Sequence, residues 1–273
     1  MSSLLLAGGG HSHALVLRRW AMNPSKRPSG LITLVSRTST ALYSGMVPGL
    51  IAGIYQRDQV EVDLRDLADQ AGVALVVAEI TSLDLQNQEL QLHQRPALPY
   101  EHLSLNLGAV TPPSSARTPG LVPIKPLEPA LAFLTDLDKQ MLDPARAAAP
   151  FLVVGSGLAA VETVLALRRR WPMRPLVLRI RPRHLKPVLI RALREASIQI
   201  LETSELDQTE ELKTTPGLVC TGSRAPHWLA ESGLPCCPNS GRIRTEASLQ
   251  VIEQPQVFAA GDCAVIDAHP RAP

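Results

Sequence analysis

The sequence predicts an α/β fold with two parallel-sheet domains, and three observations indicate this class. The apolar run Leu4-Leu-Leu-Ala7 meets the glycines Gly8-Gly-Gly10, after which a helix-like pattern begins. This order is typical of a buried parallel strand that passes directly into a helix. The same order returns at residues 151–160. Apolar residues make up 45% of the 273 residues but aromatic ones only 3%, so Leu, Val, Ala and Ile must form the core, as in parallel sheets covered on both faces.

Composition and charge disfavour several classes of protein. The formal charge is +2, from 27 basic and 25 acidic residues, which does not indicate a nucleic-acid or membrane-surface protein. No apolar run approaches the roughly 20 residues of a membrane span, and no basic region precedes the apolar N-terminus, so we expect a cytoplasmic chain without a signal peptide. The four cysteines lack Cys-x-x-Cys spacing, which disfavours zinc. They are interpreted as reduced thiols, with a redox-active Cys236-Cys237 pair as the alternative.

Apolar periodicity and turn residues predict the elements of the first half in order. They are strand 4–7, helix 13–22, strand 31–35, helix 62–72, strand 73–78, paired strands over 80–92 and strand 100–107. The first two strands and their helix form a βαβ unit, so the strands should be parallel. Segment 41–53 is apolar but carries Gly45, Gly49 and Gly53, which predicts a loop close to a flat ligand rather than a plain core helix.

The second half repeats the βαβ pattern after a Pro-rich crossover over residues 111–129. A helix over 130–142 and a hinge over 145–150 come first. The following elements are strand 151–154, helix 158–171, strand 176–180, helix 189–196, strand 198–201, a polar loop or exposed hairpin over 202–215, strand 218–220 and strand 257–260. Pro172 stops the long helix because proline cannot continue one.

Both glycine clusters resemble a dinucleotide fingerprint, in which the first glycine permits a tight turn and the second lets the backbone approach a pyrophosphate. The third glycine permits close helix–strand packing. The first cluster supplies Gly8 and Gly10 but has His13 in the third place, so we expect either a helix pushed away from the strand or a changed entry into the helix. The second supplies Gly155 and Gly157 with the permitted Ala160.

The acidic residue that would bind the ribose hydroxyls, expected after the second strand of each unit, is absent from both units. Ser36 and Arg37 stand there in the first unit, and Arg179 and Arg181 in the second. Because arginine can accept a 2′-phosphate, the sequence slightly favours NADPH over NADH. Solvated arginines or lost nicotinamide affinity are the alternatives. The surrounding basic run, residues 168–186, is either a solvated helix end and loop or a contact for cofactor phosphate.

Three further polar residues are open to more than one interpretation. His11 and His13 are two positions apart and do not share a helix face, so no metal site is predicted. His11 lies either near a phosphate or simply at a helix start. Glu162 either lines a ligand crevice or lies on an exposed helix face.

The order of these motifs resembles the pyridine nucleotide-disulfide oxidoreductase superfamily, and within it the type II NADH dehydrogenase group. The motifs are the two glycine turns, Leu107-Gly108-Ala109, Cys220-Thr221-Gly222 and Gly261-Asp262. Four segments more narrowly resemble the flavoprotein domain found fused ahead of selenophosphate synthetase. These are Gly8-Gly-Gly-His-Ser-His13, Leu42-Tyr-Ser-Gly-Met46, Leu103-Ser-Leu-Asn-Leu-Gly108 and Trp228-Leu-Ala-Glu-Ser-Gly-Leu234.

The resemblance implies two Rossmann-like domains, the second inserted in the first. Residues 1–112 and 223–273 would bind FAD, residues 113–150 would form a crossover and linker helix, and residues 151–222 would bind NAD(P)H. The predicted FAD-binding residues are Gly8, Gly10, His11, Ser12, Ser36, Arg37, Ser44, Gly45, Met46, Val77, Ala78, Gly108, Gly261 and Asp262. The predicted NAD(P)-binding residues are Gly155, Gly157, Leu158, Ala160, Glu162, Arg179, Arg181 and Gly222.

The resemblance also implies an activity: transfer of hydride from NAD(P)H to FAD and on to a quinone or another small acceptor. The alternative is a nucleotide-binding accessory module for a selenophosphate synthetase partner, with little activity of its own. Disulfide reductases of the superfamily carry a redox cysteine pair shortly after the first unit. No cysteine precedes Cys220, which excludes disulfide reduction by that mechanism. Relatives continue beyond the Gly-Asp motif, so we expect this sequence to be a truncated form.

Overall fold

The computed structural model describes residues 3–112, 119–182, 185–203 and 215–268. These residues divide into two compact units. The first unit comprises the described parts of 1–43, 61–110 and 223–273, and the second those of 44–60 and 111–222. No helix in the described ranges is long and apolar enough to cross a membrane.

The strands and helices are numbered in chain order. The strands are β1 (Ser3–Ala7), β2 (Leu31–Ser36), β3 (Thr40–Leu42), β4 (Glu61–Asp63), β5 (Ala74–Val77), β6 (Ile80–Asp84), β7 (Glu89–Leu92), β8 (Arg95–Pro99), β9 (His102–Leu105), β10 (Leu121–Pro123), β11 (Phe151–Val154), β12 (Leu176–Ile180), β13 (Gln199–Glu202), β14 (Gly217–Val219), β15 (Ile243–Thr245), β16 (Gln250–Val251), β17 (Gln254–Ala259) and β18 (Ala264–Ile266). The helices are α1 (His11–Met22), α2 (Val47–Ile51), α3 (Arg57–Val60), α4 (Leu64–Gln70), α5 (Leu127–Gln140), α6 (Pro144–Ala148), α7 (Leu158–Arg170), α8 (Pro187–Glu195) and α9 (Trp228–Glu231).

The main sheet of the first unit has the order β18-β15-β16-β17-β9-β1-β2-β5 within the described residues. The strands from β17 to β5 run parallel, and α1 connects β1 to β2. The predicted βαβ unit is therefore confirmed. Leu17 and Leu34 are buried in the apolar cluster on the α1 side, while Leu103 and Val257 belong to the cluster on the other side of the strands. Burial on both faces explains the continuous apolar strand sequences.

The second unit contains a parallel sheet with the order β10-β14-β11-β12-β13. Its larger core joins Phe151 and Leu178 of the sheet to Val164 and Leu167 of α7 and to Leu134 of α5. Both units thus have the parallel-sheet, Rossmann-like architecture that the sequence predicts. In each, the carboxyl ends of neighbouring strands come together at one edge, where ligands bind in open α/β sheets.

The structure corrects two local predictions. Segment 41–53, predicted as a loop, contains α2. Pro48 does not prevent this helix, because it stands in the first turn, where proline is tolerated. Gly49 of this helix lies against the Tyr55 ring, which an added Cβ at 2.5 Å would have to displace. The predicted hinge over 145–150 includes α6, whose first turn is capped by the Asp143 side chain.

Several strands were not predicted, and the unit boundaries differ from the predicted ones. The strand β8 was not predicted because it contains Pro96 and Pro99, which disfavour a strand. Both prolines are tolerated because β8 forms the edge of the β6-β7-β8 sheet. The second unit also includes α2, α3 and α5, because Val47, Ile51 and Leu134 share its core. Most of the loop or hairpin predicted over 202–215 lies outside the described residues, as does part of the crossover over 111–129.

Candidate nucleotide-binding sites

The carboxyl edge of the first sheet brings together most residues predicted to bind FAD. Gly8 follows β1 and its N–H donates to the Val35 carbonyl over 2.8 Å. The Ala78 N–H, after β5, donates to the Ser36 carbonyl over 2.9 Å. Gly108 follows β9, and Gly261 and Asp262 follow β17 in a short 3-10 turn. Parallel strands therefore place at one edge residues that are far apart in the sequence.

Asn106 lies at the centre of this edge and was not singled out from the sequence. Its side chain is only 4% exposed. Its Oδ1 accepts hydrogen bonds from the backbone N–H groups of Ser12 (3.1 Å) and His13 (3.5 Å). Its Nδ2 donates to the Ala260 carbonyl over 2.7 Å. Gly10 precedes α1 and has no side chain, so the amide of a distant residue caps this helix.

The glycines around Asn106 are required by its close approach. A Cβ on Gly10 would lie 2.1 Å from Asn106 Oδ1, and one on Gly8 would lie 2.4 Å from the Asn106 carbonyl oxygen. A Cβ on Gly261 would lie 2.5 Å from Asn106 Nδ2. Gly8 and Gly261 also have positive φ, at 101° and 76°. Protein packing alone thus accounts for these three glycines, although they also leave backbone available to a ligand.

His13 occupies the third fingerprint position as a buried, hydrogen-bonded side chain that is 3% exposed. Its Nδ1 lies 2.7 Å from the Gly8 carbonyl oxygen and its Nε2 lies 2.8 Å from Ser104 Oγ. Since a carbonyl can only accept, Nδ1 must carry the proton, and the neutral ring then accepts at Nε2 from the serine hydroxyl. Burial lowers the His13 pKa to about 4, so the ring is neutral at pH 7.

The expected change in helix entry is not seen at the start of α1. Both α1 and α7 begin three residues after the first glycine of their turns. Their capping residues, Gly10 and Gly157, also have similar backbone angles, with φ of −70° and −90°. The His13 side chain therefore changes the packing against β9 rather than the point of entry.

The remaining predicted FAD residues lie on the surface near this edge or in the other unit. The ring of His11 is exposed and stacks against Tyr43, with the centroids 4.6 Å apart. Arg37 is exposed and forms a long contact of 3.9 Å with Glu79. Ser44, Gly45 and Met46 form one 3-10 turn that leads into α2, and they belong to the second unit. The backbone carbonyl of Asp262 accepts a hydrogen bond from Arg242 over 3.0 Å.

The glycine turn of the second unit is less filled by protein. Gly155 has φ of 155°, and an added Cβ would lie 2.8 Å from the Cys220 carbonyl oxygen. A Cβ on Gly157 would meet nothing within 4 Å. Ala160 is fully buried and packs close to Gly155, whereas the apolar side chain of Leu158 is 65% exposed. This turn therefore has open space directly before α7.

The two predicted arginines of the second unit occupy different environments. Arg179 lies within β12 and is only 6% exposed, and burial lowers its pKa. Arg181 follows β12 and is exposed, while its backbone N–H donates to Ser156 Oγ in the glycine turn over 2.8 Å. Arg181 therefore lies beside this turn with its charge in solvent. Glu162 is exposed on α7, which leaves both interpretations of this residue open.

Two features of the second unit indicate room for a polar ligand. Gly157 supplies no capping side chain, and no acidic residue occupies the first turn of α7. The Thr221 hydroxyl, just after β14, is buried with no hydrogen-bond partner in the part of the chain that the structure describes. An uncapped helix N-terminus attracts anions, and a buried hydroxyl without a partner is unfavourable unless a ligand satisfies it. The residues present thus fit a dinucleotide at this edge.

The cysteines and histidines add no metal centre among the described residues. All four cysteines are free thiols. Burial raises the pKa of Cys220 to about 12 and that of Cys263 to about 11. Hydrogen bonds from Ser240 and Asn239 lower the pKa of Cys237. Cys237 is therefore the thiol most prone to ionise, which leaves the redox interpretation of the 236–237 pair open.

Comparisons with known proteins agree with this architecture. The chain is 26% identical over 218 residues to human ferroptosis suppressor protein 1, covering 68% of this chain and 55% of that protein. The reduced CoADR-RHD of Bacillus anthracis has a similar structure, with a TM-score of 0.78, 16% identity and coverage of 97% of this chain and 51% of that one. The sulfide:quinone oxidoreductase of Aquifex aeolicus also has a similar structure, with a TM-score of 0.73 and 15% identity. The match covers 97% of this chain and 69% of that one.

The chain spans about half the length of the human protein and of the Bacillus structure. The sequence profile described as pyridine nucleotide-disulphide oxidoreductase matches residues 8–272, which include both glycine turns and the Gly-Asp motif. With this match and the two Rossmann-like units, the chain belongs to the pyridine nucleotide-disulphide oxidoreductase family, whose members depend on FAD and use NAD(P)H.

Proposed function

We propose that this chain is the nucleotide-binding part of an FAD-dependent oxidoreductase that takes hydride from NAD(P)H and delivers electrons to a quinone or another small acceptor. One observation carries the proposal. Each of the two units presents a glycine turn that leads into a helix N-terminus at the carboxyl edge of a parallel sheet. Two such edges suit two dinucleotides.

The residues of each unit would divide the work of holding and orienting the cofactors. In the first unit, Gly8 and Gly10 would face the FAD pyrophosphate, Val77 and Ala78 the adenine, and Asp262 the ribityl chain. In the second unit, Gly155, Gly157 and the N-terminus of α7 would hold the pyrophosphate of the nicotinamide nucleotide. When bound, the two cofactors supply the hydride and electron chemistry, whereas the protein supplies position and polarity.

We further propose that NADPH is the preferred donor, because of the placement of Arg181. Its backbone is hydrogen-bonded to the glycine turn and its side chain is exposed. This is where a dinucleotide fold without a ribose carboxylate can accept a 2′-phosphate. Arg179 is less suited to the role, because it is buried within β12.

The acceptor and the wider context are proposals of the same kind. A quinone is supported by the sulfide:quinone oxidoreductase among the similar folds, and the type II NADH dehydrogenase group remains the suggested branch. The accessory role beside a selenophosphate synthetase is the second candidate. It is favoured by Ser36, which stands in place of a ribose carboxylate. A cytoplasmic location stays a prediction.

The visible absorption spectrum of the purified chain, followed by anaerobic titration with NADPH and NADH, tests the proposal. We expect a flavin spectrum that NADPH bleaches at lower concentration than NADH. Bound flavin that neither nucleotide reduces would instead support the accessory role. A colourless protein that takes up no added FAD would overturn the assignment of flavin to this chain.

A further inference from the structure

We propose that Asn106 is a positioning residue for the flavin site, where its amide ties the Gly8–Gly10 turn to the Gly261–Asp262 turn. The inference rests on the proposed function, because it assumes that FAD lies along the first sheet edge. Nothing in the sequence motifs assigns Asn106 to ligand binding. Its contacts nevertheless join the two segments that would hold opposite parts of the same cofactor.

The two ends of the amide have opposite roles, which fixes the orientation of the group. Oδ1 accepts from the Ser12 N–H over 3.1 Å, and Nδ2 donates to the Ala260 carbonyl over 2.7 Å. Asparagine provides one acceptor and one donor in this shape, whereas an ionised aspartate provides acceptors only and leucine provides neither. A reversed amide would face an N–H donor with a donor and a carbonyl with an acceptor.

The fit on both sides shows that the amide sets the spacing between the turns. An added Cβ on Gly10 would lie 2.1 Å from Oδ1, and one on Gly261 would lie 2.5 Å from Nδ2. The Asn106 backbone N–H also donates to the Ala7 carbonyl over 2.8 Å, which anchors the residue at the end of β1. A change of side chain at this position should therefore move both turns relative to the sheet edge.

Two substitutions that keep the branching of the side chain at Cγ separate the effect of the hydrogen bonds from that of filling the space. Asn106→Leu removes all three side-chain hydrogen bonds, those from the Ser12 and His13 N–H groups and that to the Ala260 carbonyl, at every pH. Asn106→Asp keeps an acceptor for the Ser12 N–H but sets a carboxylate oxygen against the Ala260 carbonyl. Protonation of the introduced carboxyl restores a donor, so the FAD affinity of Asn106→Asp should rise between pH 8 and pH 5.5. Asn23→Asp, on the exposed residue that follows α1, adds the same charge and serves as the control.

The experiment measures FAD binding, NADPH binding and backbone amide exchange in the flavin-free chain. We expect FAD affinity to fall roughly tenfold or more in Asn106→Leu, and in Asn106→Asp at pH 8, because buried polar groups lose their partners. Exchange over residues 260–263 should quicken in both variants, while NADPH affinity in the second unit should stay within about twofold, which rules out general unfolding.

Three results decide the inference. Unchanged FAD affinity in Asn106→Leu overturns it, and so does weaker FAD binding with unchanged exchange over residues 260–263. Equal pH dependence in Asn106→Asp and Asn23→Asp also overturns it. Wild-type protein that binds no FAD counts against the proposed function instead, and the exchange comparison then still decides whether Asn106 ties the turns.

Discussion

The two glycine turns have the same sequence pattern but different physical reasons for their glycines. In the first turn, a Cβ on Gly10 would overlap the Asn106 side chain. In the second turn, a Cβ on Gly157 would meet only open space. The amides at the start of α1 are capped by Asn106, whereas no capping side chain is present at the start of α7 within the described residues.

This difference shows that a glycine motif is not by itself evidence of ligand contact. The first turn would need glycine even without a ligand, because Asn106 fills the space beside it. Packing does not explain Gly157, and the proposed close approach of a ligand to the backbone would explain it. The same substitution should therefore affect folding in one turn and binding in the other.

The largest expected effect comes from Gly10→Ala compared with Gly157→Ala. Gly10 has φ of −70°, which alanine can adopt, so the penalty is the overlap with Asn106, whose Oδ1 would lie 2.1 Å and whose backbone oxygen 2.6 Å from the added Cβ. We expect a loss of about 3 kcal/mol in the free energy of unfolding for Gly10→Ala. Gly157→Ala should lower it by about 0.5–1 kcal/mol, the cost of alanine at an N-cap, while weakening NADPH binding. Chemical denaturation and nucleotide titration measure both quantities.

A double substitution tests the cause. If the Asn106 side chain is the obstacle, Gly10→Ala should cost less in an Asn106→Ala background than in the wild type, so the two effects should not add. Full additivity would show that the loss in Gly10→Ala has another origin. Equal destabilisation by Gly10→Ala and Gly157→Ala would remove the difference between the turns.

At the third fingerprint position, His13 can be protonated and Ala160 cannot. We therefore expect the first turn, but not the second, to make the free energy of unfolding depend on pH. The pKa of His13 is about 4 in the folded chain and about 6.5 when unfolded, so the unfolded chain binds more protons between these values. The free energy of unfolding should therefore be highest, as far as His13 is concerned, above pH 6.5. It should fall by up to about 3 kcal/mol as the pH decreases from 6.5 through 4. Denaturation across this range measures the loss.

The matched substitutions are His13→Gln and His93→Gln. His93 is exposed on the turn after β7, so its replacement should leave the pH dependence intact. His13→Gln should flatten it, because no group with a lowered pKa remains at that position. The assignment fails if the dependence survives in His13→Gln.

A smaller effect is expected from Ser104→Ala, which removes the hydroxyl that donates to His13 Nε2 over 2.8 Å. The ring nitrogen would then be buried without a donor, at a cost of about 1 kcal/mol in the free energy of unfolding. Ser82→Ala, on an exposed position of β6, is the control and should be nearly neutral. Equal effects from both serines would contradict a stabilising hydrogen bond between Ser104 and His13.

Local sequence signals predicted the strands and the two turns, but not the contacts that distinguish the turns. Apolar runs and glycine clusters are patterns of neighbouring residues, so the sequence predicts β1, α1, β11 and α7 without knowledge of distant contacts. Asn106 could not, because its hydrogen-bond partners lie 94 and 154 positions away in the sequence. The sequence shows that His13 replaces the third glycine of the fingerprint, but it does not show which residue His13 contacts. Its partner Ser104 lies 91 positions away and is brought close only by the parallel pairing of β1 and β9.

The remaining expected effect concerns the open second turn and involves nucleotide binding alone. Arg181→Ala should weaken NADPH binding about tenfold, equivalent to about 1.4 kcal/mol, and leave NADH binding unchanged, because only NADPH carries the 2′-phosphate. Arg191→Ala removes the same charge from the exposed face of α8 and controls for the general field of the basic residues. Isothermal titration of the wild type and both variants with NADPH and with NADH measures these affinities. If Arg181→Ala weakens NADH and NADPH binding equally, Arg181 acts on a part common to both nucleotides, and the preference for NADPH loses its structural basis.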